Sequence, residues 1–181
     1  MKFSRSLAAF GLAAALALPG LATADPELKI PDFSHLRHKA VDSVDMTIDG
    51  FLLRIASKFA RADGNDPESA AAADILQGLK SVRVRNFTFD SDDAYSVADV
   101  DSVRKQLDGP GWSQLVHVRK SEPLENVDVY LSMDGEKING LAVIAIEPRE
   151  FTIVNIVGSI DIDKIGRLGG QFDIPQLSQN Q

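Results

Sequence analysis

Two carboxylates and a guanidinium stand next to each other in the segment Glu147-Pro148-Arg149-Glu150. Paired carboxylates can act as general acid and general base when a cleft separates their pKa values. Trp112 directly follows Gly109-Pro110-Gly111, so a turn delivers an aromatic ring, and His117 comes shortly afterwards. One hypothesis is therefore a small hydrolase or lyase that uses the Glu147/Arg149/Glu150 turn near Trp112, assisted by His117. A polar turn between buried strands has the same sequence, however, and a lone tryptophan is more often a core or lid aromatic than a ligand platform.

The histidines and acidic runs of the chain give little support to a metal site. His35 and His38 are three residues apart, so a helix would bring them to one face, but a zinc site needs further protein ligands. Asp90, Asp92 and Asp93 form an acidic segment that lacks the later Asp-Gly and the closing bidentate Glu of a calcium loop. We therefore expect no metal site and no cofactor.

Composition excludes several further classes of function. The chain has no cysteine, which removes disulfides, thiolate metal sites, a cysteine nucleophile and lipid attachment at a cysteine. It carries 19 Lys+Arg against 26 Asp+Glu, and a formal net charge of −7 is unfavourable for general nucleic-acid binding. No Gly-x-Ser-x-Gly elbow and no phosphate-binding loop is present. The residues thus favour a non-enzymatic protein over an enzyme.

The N-terminal segment has the three parts of a cleaved secretory signal. Lys2 and Arg5 supply the positive start, and 7–18 is an apolar run rich in Ala and Leu. Ala22 and Ala24 are the small residues that signal peptidase accepts, which predicts cleavage after Ala24. The apolar run is shorter than the roughly 20 residues of a membrane-spanning helix. We expect an exported protein, periplasmic or secreted, with no membrane span and no lipid anchor.

The rest of the chain predicts one α+β domain, an antiparallel sheet of five or six strands with helices packed on it. We expect a signal peptide over 1–24, a linker over 25–31, the domain over 32–174 and a flexible tail over 175–181. The predicted order of the main elements is βααβαββββα. Strands are predicted over 40–48, 82–90, 113–119, 126–133, 138–147 and 151–157, and helices over 51–61, 66–79, 96–107 and 162–168. A shorter helix is expected between Ser34 and Ala40.

Two local signals support these boundaries. The segment from Ser96 to Asp99 resembles a capping box with Asp in place of the usual Glu, which predicts a helix start. Asp134-Gly135 lies between two alternating runs and predicts a hairpin, because Gly accepts a positive φ.

The strand predicted over 126–133 alternates cleanly between apolar and polar residues. One side has four apolar residues, and the other has Asp128, Tyr130 and Ser132. This is the usual pattern of a half-buried strand, with the apolar side inward and the polar side toward solvent. The apolar residues are Val127, Val129, Leu131 and Met133.

The next two predicted strands, 138–147 and 151–157, are instead apolar on both sides. Helices can cover one side, and two explanations remain for the other. Further helices of this chain can cover it, or it is an exposed apolar patch used for a protein partner, a homodimer or an apolar ligand.

A series of short motifs runs from about Pro31 to Pro175. They are PDFSHL at 31–36, VDMTIDG at 44–50, LR at 53–54, GPGWS at 109–113, ENVDVY at 125–130, EPRE at 147–150, VNIVG at 154–158 and LGGQF at 168–172. Through these motifs the chain resembles a bacterial exported family known as domain of unknown function 4252.

What this resemblance implies is limited. It implies a small exported protein of a Gram-negative bacterium, and it brings no catalytic residues with it. Some members look like lipoproteins, and the absence of cysteine here implies a protein free in the periplasm or secreted. An association of the family with genes for extracytoplasmic sigma factors implies an accessory role in an envelope response. Together with the residues, the resemblance favours a non-enzymatic binding module, with the hydrolase or lyase as the alternative.

Overall fold

The computed structural model describes residues 25–63, 67–92, 94–119 and 126–161. The predicted signal peptide, the predicted helix over 162–168 and the predicted tail lie outside these ranges. The described helices are α1 (Ser34–Arg37), α2 (Gly50–Asp63), α3 (Pro67–Gly78) and α4 (Val97–Leu107). The described strands are β1 (Asp42–Asp49), β2 (Leu79–Thr88), β3 (Trp112–Arg119), β4 (Asn126–Asp134), β5 (Lys137–Glu147) and β6 (Glu150–Ile160).

The six strands form one open antiparallel sheet in the order β1-β2-β6-β5-β4-β3. The four helices pack on it, so the predicted α+β domain with a single antiparallel sheet is confirmed. The last strand, β6, lies between β2 and β5 and joins the two halves of the sheet. None of the described helices is long and apolar enough to cross a membrane.

Local sequence explains where α2 and α4 begin. The predicted capping box is present at α4: the Ser96 hydroxyl accepts from the Asp99 N–H, and the Asp99 carboxylate accepts from the Ser96 N–H at 2.9 Å. Before α2, the Asp49 carboxylate accepts hydrogen bonds from the N–H groups of Phe51 and Leu52 at 2.9 and 3.0 Å. The predicted hairpin turn also forms, with Gly135 at φ +62° between β4 and β5.

One side of the sheet, which we call the packed face, carries the main core. It is covered by α1, by α4 and by the chain that precedes α1. Aromatic rings fill its centre: the ring centroids of Phe33 and Phe151 are 5.6 Å apart, and those of Tyr95 and Phe151 are 5.3 Å apart. α4 contributes its fully buried apolar stripe, Val100, Val103 and Leu107.

The segment 25–30, which we call the N-terminal strap, is part of this core although it forms no helix or strand. Leu28 is only 1% exposed. The buried Asn155 side chain accepts from the Leu28 N–H and donates to the carbonyl of Pro26, both at 3.0 Å. Gln106 of α4 exchanges two hydrogen bonds with the backbone of Lys29, at 2.9 and 3.0 Å. The segment predicted as a linker is therefore held to the sheet and to α4 by side-chain-to-backbone hydrogen bonds.

A smaller core lies on the opposite side of the sheet. The α2–α3 hairpin covers one end of this side, and its two helices are joined by a bond from the buried Ser57 hydroxyl to the Ala73 carbonyl at 2.9 Å. Leu53 of α2 packs there with partly buried residues of the sheet such as Val82 and Ile156. The hairpin leaves the rest of this side uncovered.

The orientation predicted for β4 is wrong. Asp128, Tyr130 and Ser132 are buried, whereas Val127 is 37% exposed. The reason is the register, which pairs Asp128 with Ile144 and so places it on the same side as the fully buried residues of β5. The polar side of β4 thus faces the core, and its apolar side belongs to the uncovered part of the sheet.

Candidate functional site

The Glu147–Glu150 turn joins β5 to β6 and lines a cleft of about 420 Å³. Two of its charged side chains, Arg149 and Glu150, are engaged with neighbours. Arg149 Nε donates to Asp92 Oδ1 at 2.6 Å, and Glu150 Oε1 accepts from Asn86 Nδ2 at 2.6 Å. The turn itself is held by Tyr95, whose hydroxyl donates to the carbonyls of Glu147 and Glu150. Burial raises the pKa of Tyr95 to about 12, so this hydroxyl remains a neutral donor at physiological pH.

Trp112 and His117 lie far from this turn. Trp112 begins β3 opposite Ser132, beside the N-terminal strap, where it lines a separate cleft of about 310 Å³. Ser132 pairs with Gly140, and the seven residue steps from Gly140 to Glu147 span roughly 23 Å along β5. His117 lies on β3, two strands away from β5, and is level with the β5 residue three positions before Glu147. Its Cα is therefore roughly 14 Å from that of Glu147.

The hydrolase hypothesis needs one cleft that holds the turn, Trp112 and His117. The structure separates the three, and His117 and Glu147 also point to opposite sides of the sheet. The proposed common cleft does not exist among the described residues, so this expectation is wrong.

Two of the residues considered for metal binding, His35 and Asp92, have other partners, and Asp92 accepts from Arg149. His35 Nε2 is 2.8 Å from Asp99 Oδ1, at the start of α4. Burial opposes ionisation of Asp99, but hydrogen bonds from Ser96 and from His35 outweigh it and lower the pKa of this carboxyl. Within the described ranges, no three His, Cys, Asp or Glu side chains are close enough together to hold a metal ion. Asp93 lies outside those ranges.

The sequence does not reveal a buried polar cluster on the packed face, centred on Asp128. This carboxylate is 1% exposed. Its Oδ2 accepts from Arg104 Nε at 3.0 Å and from Arg104 Nη2 at 2.5 Å, and its Oδ1 accepts from Gln114 Nε2 at 3.2 Å and contacts His117 Nδ1. Arg104 also donates to Asn126 Oδ1 at 2.6 Å. The cluster therefore ties α4 to β3 and β4.

An irregularity in β3 makes this cluster possible. The register of β3 against β4 shifts between Gln114 and Val116, so Leu115 is an extra residue in the edge strand. Because of this bulge, Gln114 and His117 face the same side although they are three positions apart in the sequence. Regular alternation would place them on opposite sides, so a pattern of period two cannot predict the cluster.

The Asp128 cluster has the character of a structural network. Both carboxylate oxygens are satisfied by protein donors, and Arg104 uses its fork on Asp128 and Asn126 together. Burial is the main cause, and the charge of Asp128 the second, of the raised pKa of the neighbouring Tyr130. The Tyr130 hydroxyl accepts a hydrogen bond from Gln114. An aspartate can orient a histidine for catalysis. In this cluster, however, the polar side chains use their hydrogen bonds on one another.

The uncovered part of the sheet, in contrast, presents an apolar surface that the described helices do not cover. We call it the open face and define it by two rows of residues that lie side by side across all six strands. The central row contains only apolar residues: Met46, Val84, Val154, Val143, Val129 and Val116. The second row contains Val44, Asn86, Thr152, Ala145, Val127 and Val118.

Exposure of the open face is greatest at the two edges of the sheet. Met46 on β1 is 40% exposed and Val118 on β3 is 49% exposed, while the central strands carry partly exposed residues such as Val143. Side chains directly opposite each other on neighbouring strands touch, so the central row is one continuous apolar ridge. A contiguous apolar surface of this kind marks an interaction site more often than scattered apolar residues do.

Different elements border the two ends of the open face. At one end lies α2. At the other end Asp42, Glu150 and Glu147 occupy the next position along β1, β6 and β5, beside Thr88 of β2. We call these three carboxylates the acidic rim. An occupant of the open face therefore meets negative charge along one side.

The open face lies inside a recognised family domain. The model of the family described as Domain of unknown function (DUF4252) matches residues 35–168, more than half of the chain. The chain belongs to this family. The DUF4252 domain contains every residue of the open face, of the acidic rim and of the Asp128 cluster. No curated protein and no solved structure is similar enough to the chain to count as a match.

Proposed function

We propose that this DUF4252 protein is an exported, non-catalytic binding module, and that its open face binds an amphipathic helix with a basic flank. The central row supports this most directly, because it offers six apolar side chains in line, one from each strand. The separation of the Glu147–Glu150 turn from Trp112 and His117 favours this proposal over a hydrolase or lyase that combines these groups.

The dimensions of the open face suit a helix. Six strands about 4.8 Å apart give a central row roughly 24 Å long, and the two rows are roughly 7 Å apart. An α-helix is about 10 Å wide, and 16 residues of helix are about 24 Å long. One amphipathic helix lying across the strands therefore covers both rows, whereas a globular partner contacting only this strip would bury less than a usual stable interface.

Charge selects among helices of this size. The acidic rim runs beside the second row, so a helix with Lys or Arg along one flank gains attraction and an acidic helix is repelled. The polar pair in the second row, Asn86 and Thr152, is hydrogen-bonded internally, so covering it leaves no unpaired donor on Asn86 Nδ2.

Export is part of this proposal and is supported by the N-terminal pattern that ends at Ala24. The formal charge of the processed chain is −9, because cleavage removes Lys2 and Arg5 from a chain of net charge −7. A role in an envelope response is consistent with the implied family association. The intact mass of the protein recovered from the periplasm of a Gram-negative host tests processing after Ala24.

Binding is tested with a labelled helical peptide of about 14 residues built from Leu and Lys in amphipathic order. Fluorescence anisotropy against the exported protein at low protein concentration should show saturable binding, and a matched Leu/Glu peptide should bind at least about tenfold more weakly. Val154→Asp should abolish binding, because it puts a charge in the central row. Val116→Asp, on the exposed edge strand, repeats the test where a folding defect is least expected.

The control variant is Val97→Asp, which changes an exposed valine at the start of α4, on the other side of the sheet. An acidic residue is favourable at that helix position, so folding is preserved. The proposal fails if the Leu/Lys peptide does not bind, or if it binds the two open-face variants as well as it binds Val97→Asp.

A further inference from the structure

Helix α2 of the same chain has the features that the open face selects. Leu52, Ile55 and Phe59 recur at spacings of three and four along α2, and Phe59 is 66% exposed. They lie on a different side of the helix from Leu53 and Ser57, which are buried. α2 therefore carries a second apolar stripe that its own domain leaves in contact with solvent.

A basic flank borders this stripe. Arg54 and Lys58 are exposed, are one helical turn apart, and lie between the buried side of α2 and the stripe. With 14 residues, α2 is about 21 Å long, against roughly 24 Å for the central row. The helix thus matches the open face in length and in apolar character, and its flanking charge is opposite in sign to that of the acidic rim.

We infer that the partner of the open face is a second copy of this chain, and that each copy places its α2 on the open face of the other. This inference rests on the proposed function. The arrangement is a two-fold symmetric dimer in which the same pair of surfaces is used twice, so both apolar stripes and both open faces become covered. Arg54 and Lys58 of each copy then face the acidic rim of the other.

Symmetry explains why one chain carries both complementary surfaces. The contact area of a single helix on a single open face is small, but two-fold repetition doubles it and adds the α2 stripes, which brings the interface toward the size of a stable dimer. Opposite charges at the rim also offset the repulsion between two processed chains that each carry a formal charge of −9.

A charge-swap experiment tests the inference. One variant carries Arg54→Glu and Lys58→Glu, and the other carries Asp42→Lys and Glu147→Lys, which leaves the Glu150–Asn86 hydrogen bond intact. Sedimentation velocity over a range of concentrations should show a dimer for the unchanged chain and a dissociation constant raised at least about tenfold for each variant alone. An equimolar mixture should restore the dimer, because both contacts of the mixed pair again join opposite charges.

Phe59→Asp should also give a monomer, with a thermal unfolding midpoint measured at low concentration equal to that of the unchanged chain, since Phe59 is exposed in the single copy. The inference is overturned if the chain sediments as a monomer throughout, if the variants dimerise normally, or if mixing them restores nothing.

The Leu/Lys peptide keeps the two possible failures apart. A monomeric chain that binds the peptide, and loses it on Val154→Asp, overturns the dimer but leaves the proposed function standing. A monomeric chain that binds no peptide overturns both, and this is the result expected if residues 162–181 of the same chain cover the open face. A dimer that added peptide dissociates supports both.

Discussion

The burial of Asp128 is the opposite of what the alternating pattern of its strand predicts. Its strand alternates in the usual way, with valines on one side, yet the carboxylate is buried and the adjacent Val127 is exposed. Burying a charged carboxylate is unfavourable unless donors surround it, and Arg104, Gln114 and His117 supply them here. These donors come from α4 and from a bulged edge strand. Whether Asp128 is buried therefore depends on elements outside its own strand.

Replacing Arg104 by Ala leaves the Asp128 carboxylate buried without its bidentate partner. Because the arginine is partly exposed, we expect a loss of about 2–4 kcal/mol in the free energy of unfolding, measured by urea denaturation. The matched control is Arg149→Ala, which removes the exposed pair with Asp92 and should leave the free energy of unfolding nearly unchanged. Equal losses in the two variants would show that the Asp128 cluster contributes no more than a surface ion pair.

Among the elements, the N-terminal strap is the one that the sequence describes least well. Its prolines and charges predict a linker, whereas Asn155 and Gln106 hold its backbone against the sheet and α4. A glycine makes room for it: a Cβ on Gly140 would meet the Pro26 side chain at 2.6 Å. The strap is thus docked by partners that lie far away in the sequence.

Gly140→Ala should displace the strap, because its methyl group occupies the position of Pro26. We expect a loss of about 1–3 kcal/mol in the free energy of unfolding and faster amide hydrogen exchange over residues 27–30. Gly109→Ala is the control, since a Cβ there meets only a carbonyl at an ordinary 3.7 Å. Unchanged exchange in the strap of Gly140→Ala would contradict the close packing.

At the scale of the whole molecule, the described helices and the strap cover most of one side of the sheet, and the α2–α3 hairpin covers only part of the other. The packed face carries the aromatic core beneath α1, α4 and the N-terminal strap, whereas the α2–α3 hairpin reaches one end of the opposite side. A molecule built this way leaves apolar surface for an interaction, and the central row spans the whole width of the sheet.

Two adjacent residues of β5 measure this asymmetry. Ile144 is fully buried on the packed face and Val143 lies in the open face. Ile144→Asp should cost about 4 kcal/mol or more in the free energy of unfolding, because it buries an unpaired charge, whereas Val143→Asp should cost about 1–2 kcal/mol. Circular dichroism at a low protein concentration avoids any contribution from self-association. Similar losses in the two variants would mean that both sides of β5 are core.

Much of the fold is predictable from local patterns. The alternation in β4, the apolar runs of β5 and β6, the capping box at Ser96 and the Asp134-Gly135 turn define their elements within a few residues, because each signal depends on neighbours in the sequence. The double apolar character of β5 and β6 also predicts that both sides of the sheet require cover. The resemblance to the DUF4252 family, carried by short motifs along the chain, is likewise visible without a structure.

The candidate sites depend on contacts between distant residues, and the sequence alone does not predict them. A period of two defines two sides of β4 but does not state which side α4 covers, so Asp128 was expected in solvent. The bulge at Leu115 changes which side chains of β3 share a face, and the docking of the strap depends on Asn155.

The sequence by itself determined the set of strands and helices, the acidic charge and the absence of a recognisable catalytic motif. Only the tertiary structure decided that six apolar residues align across the sheet and that the helices leave them uncovered. The physical reason is that hydrophobic periodicity is a local property of each strand, whereas register, strand order and helix placement follow from the burial of the chain as a whole.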